Sequence, residues 1–203
     1  MKYPKLRELK EAIRALIKGP YTSRFPYKEH KPFEAFRGKP EFQEEYCIGC
    51  TACSQVCPAA AIDFKDIIEN GKAKRIFTIH WDVCIFCGQC QANCPAIKGI
   101  VLSKEFDLAT TGKRQELKQT IEKELLLCNC CGGIIGPVDQ VLWVAKKLGP
   151  LTFANSSLML FYLQNLNLAL EEKTTPQKEK EFMRSDRISI LCPRCRREVV
   201  LKS

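Results

Sequence analysis

The chain has 203 residues, a formal net charge of +9 from 32 basic and 23 acidic side chains, and 13 cysteines against two histidines. Hydrophobic content of 45% with 27% charged residues describes a folded globular protein of one or two domains and excludes a disordered chain. The length excludes a disulfide-stapled miniprotein, and Met1-Lys2-Tyr3-Pro4 runs into charge rather than into the apolar core of a secretory signal. A reducing cytosolic compartment is therefore expected, where clustered cysteines mean metal or redox chemistry.

From Lys5 to Lys18 apolar residues recur at Leu6, Leu9, Ile13, Leu16 and Ile17 with Lys and Arg between them, which predicts an amphipathic helix stopped by Gly19-Pro20. Residues 20–46 form an extended arm, since Pro20, Pro26, Pro32 and Pro40 are spaced too closely for helix. Its aromatics, Tyr21, Phe25, Tyr27, Phe33, Phe36, Phe42 and Tyr46, need a surface to lie on. Short strands are expected over 61–64, 75–81 and 99–102, with a loop over 65–74 between them. Beyond these, residues 113–127 are expected as a charged helix and 137–147 as a second helix. Residues 148–170 hold no charge, but Pro150, Asn155, Ser156, Ser157, Gln164, Asn165 and Asn167 interrupt the run. That favours a helix buried against its own domain or a partner over a membrane span. A polar linker over 171–186 and a strand-like 187–191 lead to the last cysteine pair.

Cys47, Cys50, Cys53, Cys57 and Pro58 recur as Cys84, Cys87, Cys90, Cys94 and Pro95, each 37 positions on, so two copies of one unit are present. Two-residue gaps let a tight loop present three thiolates to one cube with its amides aimed at the sulfurs. The run C-x2-C-x2-C-x3-C-P is that of bacterial two-cluster ferredoxins, in which the fourth cysteine ligates the other cluster. Carried onto this chain, the resemblance assigns a 4Fe-4S cluster A to Cys47, Cys50, Cys53 and Cys94 and a 4Fe-4S cluster B to Cys84, Cys87, Cys90 and Cys57. Ile48, Val56, Ile85, Phe86 and Ile97 are expected to keep water off the clusters, as core residues also would. Electron relay needs no small-molecule substrate and no proton-transfer residue.

Five cysteines remain. Cys128-x2-Cys131-Gly132 and Cys192-Pro193-Arg194-Cys195 are two metal knuckles, 60 residues apart, that together supply a four-thiolate tetrahedral site. Zinc as a structural clasp is the leading assignment and a mononuclear rubredoxin-like iron the alternative, because softness and geometry do not separate them. Cys130 is expected as a non-ligand, with a register in which it replaces Cys128 or Cys131 as the alternative.

Residues 47–107 hold six basic and six acidic residues, so the excess positive charge belongs to the flanks. Basic residues interleaved with acids and no recognition motif argue against a nucleic-acid partner. The N-terminal helix suits an interfacial helix on a bilayer or against a membrane subunit, with an ordinary surface helix as the alternative.

The order amphipathic helix, aromatic-proline arm, Phe36-Arg37-Gly38-Lys39-Pro40 and two C-x2-C-x2-C-x3-C-P runs resembles the eight-iron subunit of respiratory complex I. The same order is found in its relatives, the membrane-bound group 4 NiFe hydrogenases and formate hydrogenlyase. The C-terminal knuckle pair resembles an extension of the formate hydrogenlyase and energy-converting hydrogenase branch. The resemblance implies a peripheral subunit on the cytoplasmic side of the cell membrane. It would relay electrons to the hydrogenase small subunit beside a membrane subunit and catalyse no bond-making step itself. The equivalent subunit of an NADH or ferredoxin:quinone oxidoreductase and a soluble polyferredoxin carrier are the alternatives. The expected architecture is α+β: a helix and docking arm over 1–46, a dicluster ferredoxin domain over 47–107, and a helical region over 108–203 clasped by the four-cysteine site.

Overall fold

In the computed structural model, which describes residues 5–19, 22–69, 71–169 and 183–202, the chain forms two units, Met1–Phe36 and Arg37–Ser203. The first contains helix α1, Leu6–Lys18. Its start is capped by Glu8, whose carboxylate accepts from the Lys5 N–H at 3.1 Å. Gly19, at φ 80°, turns the chain out while its N–H donates to the Ala15 carbonyl. The apolar stripe predicted for this helix lies on one face and no residue of α1 is buried. In the arm that follows, Phe33 and Phe36 meet edge to face at 5.9 Å. Pro20 and Tyr21 lie outside the described residues.

The second unit is organised by a four-stranded antiparallel sheet of order β2-β3-β5-β6: β2 Ile62–Glu69, β3 Lys72–His80, β5 Lys118–Leu127 and β6 Ile134–Pro137. A two-stranded sheet, β1 Pro40–Phe42 with β4 Ile100–Leu102, closes over it. Alternation directs Phe77 and Ile79 of β3 and Ile121 and Leu125 of β5 inward, and all four are buried. Phe77, Ile79 and Ile121 join Phe42, Ile62, Cys90 and Ile100 in one core, against which Cys47, Cys53, Trp81 and Cys94 pack. Gln119 of β5 fastens the two sheets. Its amide accepts from the Phe42 N–H at 2.7 Å and donates to the Phe42 carbonyl at 3.1 Å, so both polar groups of that strand residue are satisfied. The Trp81 indole N–H donates to the Pro40 carbonyl at 2.8 Å.

Single-turn helices α2, Ala52–Gln55, and α3, Gln89–Ala92, sit at equivalent places in the two repeats. Three longer helices follow the sheet: α4 Val138–Leu148, α5 Ser156–Asn165 and α6 Pro193–Lys202.

Several sequence expectations need correction. Residues 113–127 are a short 3-10 turn, Arg114–Glu116, and then strand β5, not a charged helix. Glu, Lys and Leu are strong helix formers, but seven of the ten residues pair with β3 and the last three with β6, and that tertiary pairing overrides propensity. The loop expected over 65–74 is the tip and facing arms of the β2-β3 hairpin, paired from Ile62↔Ile79 to Glu69↔Lys72. The strand expected over 187–191 is the end of a 3-10 turn, Arg184–Arg187, followed by irregular chain. The expected linker over 171–186 lies outside the described residues as far as 182. Among the described residues no helix is long and apolar enough to cross a membrane. The neutral stretch is instead a 3-10 segment, Gly149–Ala154, and α5, with Asn155 capping α5 through the N–H groups of Ser157 and Leu158.

Candidate metal centres

The internal repeat is written into the backbone as well as the cysteines. Gly49, Thr51 and Ala60 have φ of 73°, 66° and 49°, and Phe86, Gly88 and Ile97, each 37 positions on, have 53°, 78° and 64°. Four of these six are not glycine, so the left-handed turns that bend each loop inward are held against their own steric cost. At Gly49 there is no latitude: a Cβ there would stand 2.9 Å from Cβ of Pro137.

The eight cysteines of the repeats line two small cavities, four to each. Cys47, Cys50, Cys53 and Cys94 share the first with Phe42, Ile48, Phe77 and Ile100, and Cys57, Cys84, Cys87 and Cys90 share the second with Pro40, Ile62, Phe86 and Leu102. In each cavity three thiols come from one repeat and the fourth from the other. Burial pushes the Cys53 thiol up to about 12, with the neighbouring thiols adding to it, and the Cys90 thiol up to about 11. Thiolates in such walls need a cationic centre among them. Amides also face the sulfurs: Ala61 N–H donates to Cys57 Sγ at 3.2 Å and Phe86 N–H to Cys84 Sγ at 3.4 Å. The donor sets fit iron-sulfur clusters.

Of the five apolar residues expected to exclude water, Ile48 is buried and Val56 and Phe86 are half-buried. Ile85 lines the second cavity although it is 62% exposed, whereas Ile97, 77% exposed, lines neither. The rest of the apolar walls comes from β1, β2, β3 and β4 through Pro40, Phe42, Ile62, Phe77, Ile100 and Leu102.

Basic side chains that sequence reasoning did not single out grip the loops. Arg75 holds the Asp66 carboxylate with two bonds, at 2.7 and 2.9 Å, and donates to the Gly49 carbonyl at 3.0 Å. Arg37 donates to the Cys87 carbonyl at 3.0 Å. Lys123 of β5, almost fully buried, donates to the Glu44 carbonyl at 2.5 Å and to Asp139 at 2.9 Å. Only strict alternation in Thr120-Ile121-Glu122-Lys123-Glu124-Leu125 signals that Lys123 faces inward.

The third centre joins the β5-β6 turn to the start of α6. Cys128, Cys131, Cys192 and Cys195 are, among the described residues, the group whose donor atoms all lie within 4.8 Å of one another. Cys131 Sγ and Cys192 Sγ are 3.7 Å apart, too far for a disulfide. A tetrahedron with metal-sulfur bonds of about 2.3 Å has edges of about 3.8 Å, so the spacing is that of thiolates round one ion. Gly133 N–H donates to Cys131 Sγ, Cys192 N–H to Cys128 Sγ and Cys195 N–H to Cys192 Sγ. Burial pushes the Cys128 thiol up, but the N–H groups of Cys131, Cys192 and Cys130 outweigh it and bring it down to about 7. Cys195, buried among the other thiols, is pushed well up. Cys130 packs against this cluster, with Leu191 and Val199 in its core, and stands outside the group of four.

Residues 46–97 match the family model of a 4Fe-4S dicluster domain. The chain is 32% identical to NAD(P)H-quinone oxidoreductase subunit I of Gloeobacter violaceus over 99 residues, 47% of each chain. It is 38% identical to formate hydrogenlyase subunit 6 of Escherichia coli over 119 residues, 58% of this chain and 63% of that one. With NADH-quinone oxidoreductase subunit I 2 of Geobacter metallireducens it shares 31% identity over 130 residues, 61% of this chain and 96% of that one. The chain belongs to the NADH-quinone oxidoreductase subunit I family. It spans about half the length of the Gloeobacter relative and somewhat under two thirds of the Escherichia one. The dicluster domain supports two 4Fe-4S clusters as its cofactors. The four-cysteine group is a further site.

Proposed function

We propose that this chain is the electron-transfer subunit of a membrane-bound hydrogenase complex of the formate hydrogenlyase or energy-converting kind, relaying electrons through cluster A on Cys47, Cys50, Cys53 and Cys94 and cluster B on Cys84, Cys87, Cys90 and Cys57. The observation that carries this reading is the pair of thiol-lined cavities, each taking its fourth cysteine from the opposite repeat. A 4Fe-4S cluster gains or loses one electron at a time. The chain's own contribution is to fix the clusters in one shared core, dry their walls and present cations to their loops. Zinc on Cys128, Cys131, Cys192 and Cys195 clasps the C-terminal region, and the 3.7 Å sulfur spacing supports a single ion. The exposed stripe of α1, with Lys and Arg beside it, supports contact with the membrane surface or a membrane subunit on the cytoplasmic side. The hydrogenase small subunit is the proposed electron-transfer partner.

The coverage of 96% of the Geobacter subunit favours a second reading, the equivalent place in a quinone oxidoreductase. Purification of the tagged chain with its partners from solubilised membranes separates them. Nickel with hydrogen-dependent reduction of the clusters is expected, whereas a nickel-free complex reduced by a quinol supports the second reading. A chain that purifies alone from the soluble fraction overturns both.

A further inference from the structure

β3 and β5 pair with Arg75 directly opposite Lys123, so two cations stand side by side on one face of the sheet. Like charges directly opposite each other destabilise a sheet, and a buried ammonium costs more still. Both point to the same place. Arg75 donates to the Gly49 carbonyl, and the Lys123 stem would lie 3.4 Å from a Cβ at Gly49, between Cys47 and Cys50. The Lys123 ammonium is bound to the Glu44 carbonyl, within the turn that ends where the Cys47 N–H donates to the Gln43 carbonyl at 2.9 Å.

The two cations differ in how far they are neutralised. Arg75 is held by both oxygens of Asp66, which is itself largely covered. Lys123 has one bond to Asp139, whose side chain is 47% exposed against 9% for the lysine. Water screens the carboxylate far more than the ammonium, leaving a net positive field on the buried side.

We propose that Lys123, with Arg75 opposite it, is a cationic platform beneath the loop of cluster A that raises that cluster's reduction potential, and that Asp139 of α4 tempers it. Lys123 is a positioning and tuning residue, and through Asp139 the C-terminal region reaches the redox centre. The inference rests on the assignment of Cys47, Cys50, Cys53 and Cys94 to one cluster. A reduced cluster holds one more negative charge than an oxidised one, so a buried cation nearby favours reduction.

The test is an EPR-monitored redox titration of the full chain with its clusters loaded, in wild type, Lys123→Gln, Lys123→Arg and Asp139→Asn. The cluster A signal is the one abolished by Cys50→Ser. Lys123→Gln is expected to lower the midpoint potential of cluster A by about 59 mV, a tenfold fall in the reduced-to-oxidised ratio at fixed ambient potential. Lys123→Arg is expected to stay at the wild-type value and Asp139→Asn to raise it, with cluster B unmoved throughout. An unchanged cluster A in Lys123→Gln, or shifts of the same sign in Lys123→Gln and Asp139→Asn, as a packing disturbance gives, overturns the proposal. If Lys123→Gln fails to retain cluster A, Asp139→Asn decides alone, and no rise overturns it. Wild type that loads one cluster or none overturns the ligand assignment itself, whereas a loaded chain with unmoved potential overturns only the tuning role.

Discussion

Arg75 shows how single side chains hold the cluster loops in place. It ties β2 to the turn after Cys47, and its side chain is 12% exposed beside an Asp66 that is 24% exposed. Removing one partner leaves a largely covered charge without its counterpart, a loss of about 2 kcal/mol. Arg75→Met should therefore lower the urea midpoint for loss of cluster absorbance by about 1 M. The crossing cysteines give a sharper contrast. Cys57 stands in the first repeat but lines the second cavity. Cys57→Ser is expected to abolish the EPR signal that Cys84→Ser also abolishes, and to spare the one lost in Cys50→Ser. At the third centre the pH response lies with Cys128. Its thiol is lowered from the ordinary 9.0 to about 7, so its thiolate is present above that value and lost as pH falls through it. Zinc uptake by the metal-free site, followed by tryptic resistance, should accordingly accelerate as pH rises through about 7.

At the scale of elements, what the sequence made legible was whatever a local pattern encodes. The 3.6-residue stripe marked α1, the 37-residue offset marked the two cluster loops, and the four knuckle cysteines are the four the structure brings together. β5 was hidden because its inward positions are Gln119, Ile121, Lys123 and Leu125, a mixture that breaks the apolar alternation of a half-buried strand. Each polar member there has a partner distant in sequence, Phe42 for Gln119 and Glu44 with Asp139 for Lys123, and no local signal carries that. The exposure of Ile97 was equally invisible, because it sits on left-handed backbone that such a residue ordinarily avoids. Because β5 joins the cluster-bearing sheet and β6 leads into α4, the metal knuckles extend the same framework. Structural zinc contributes on the order of 10 kcal/mol of folding free energy. Cys192→Ser should make residues 183–202 sensitive to protease while both cluster signals persist. A C-terminal region that stays resistant would remove the clasp role.

For the whole molecule, charge and unit structure point the same way. The cluster-bearing stretch 47–107 is balanced, and the basic excess lies in the flanks. The unit Met1–Phe36 presents an apolar stripe with no buried residue in α1. Deleting residues 1–18 is expected to shift the chain from the membrane fraction to the soluble one, at least tenfold by immunoblot, with cluster content unchanged. The central claim is that twelve of the thirteen cysteines are committed to three metal centres. Metal and acid-labile sulfide analysis of the purified full chain tests it most directly. About eight irons, about eight sulfides and about one zinc per chain are predicted. About four irons, or zinc in place of iron at the repeat cysteines, would contradict it.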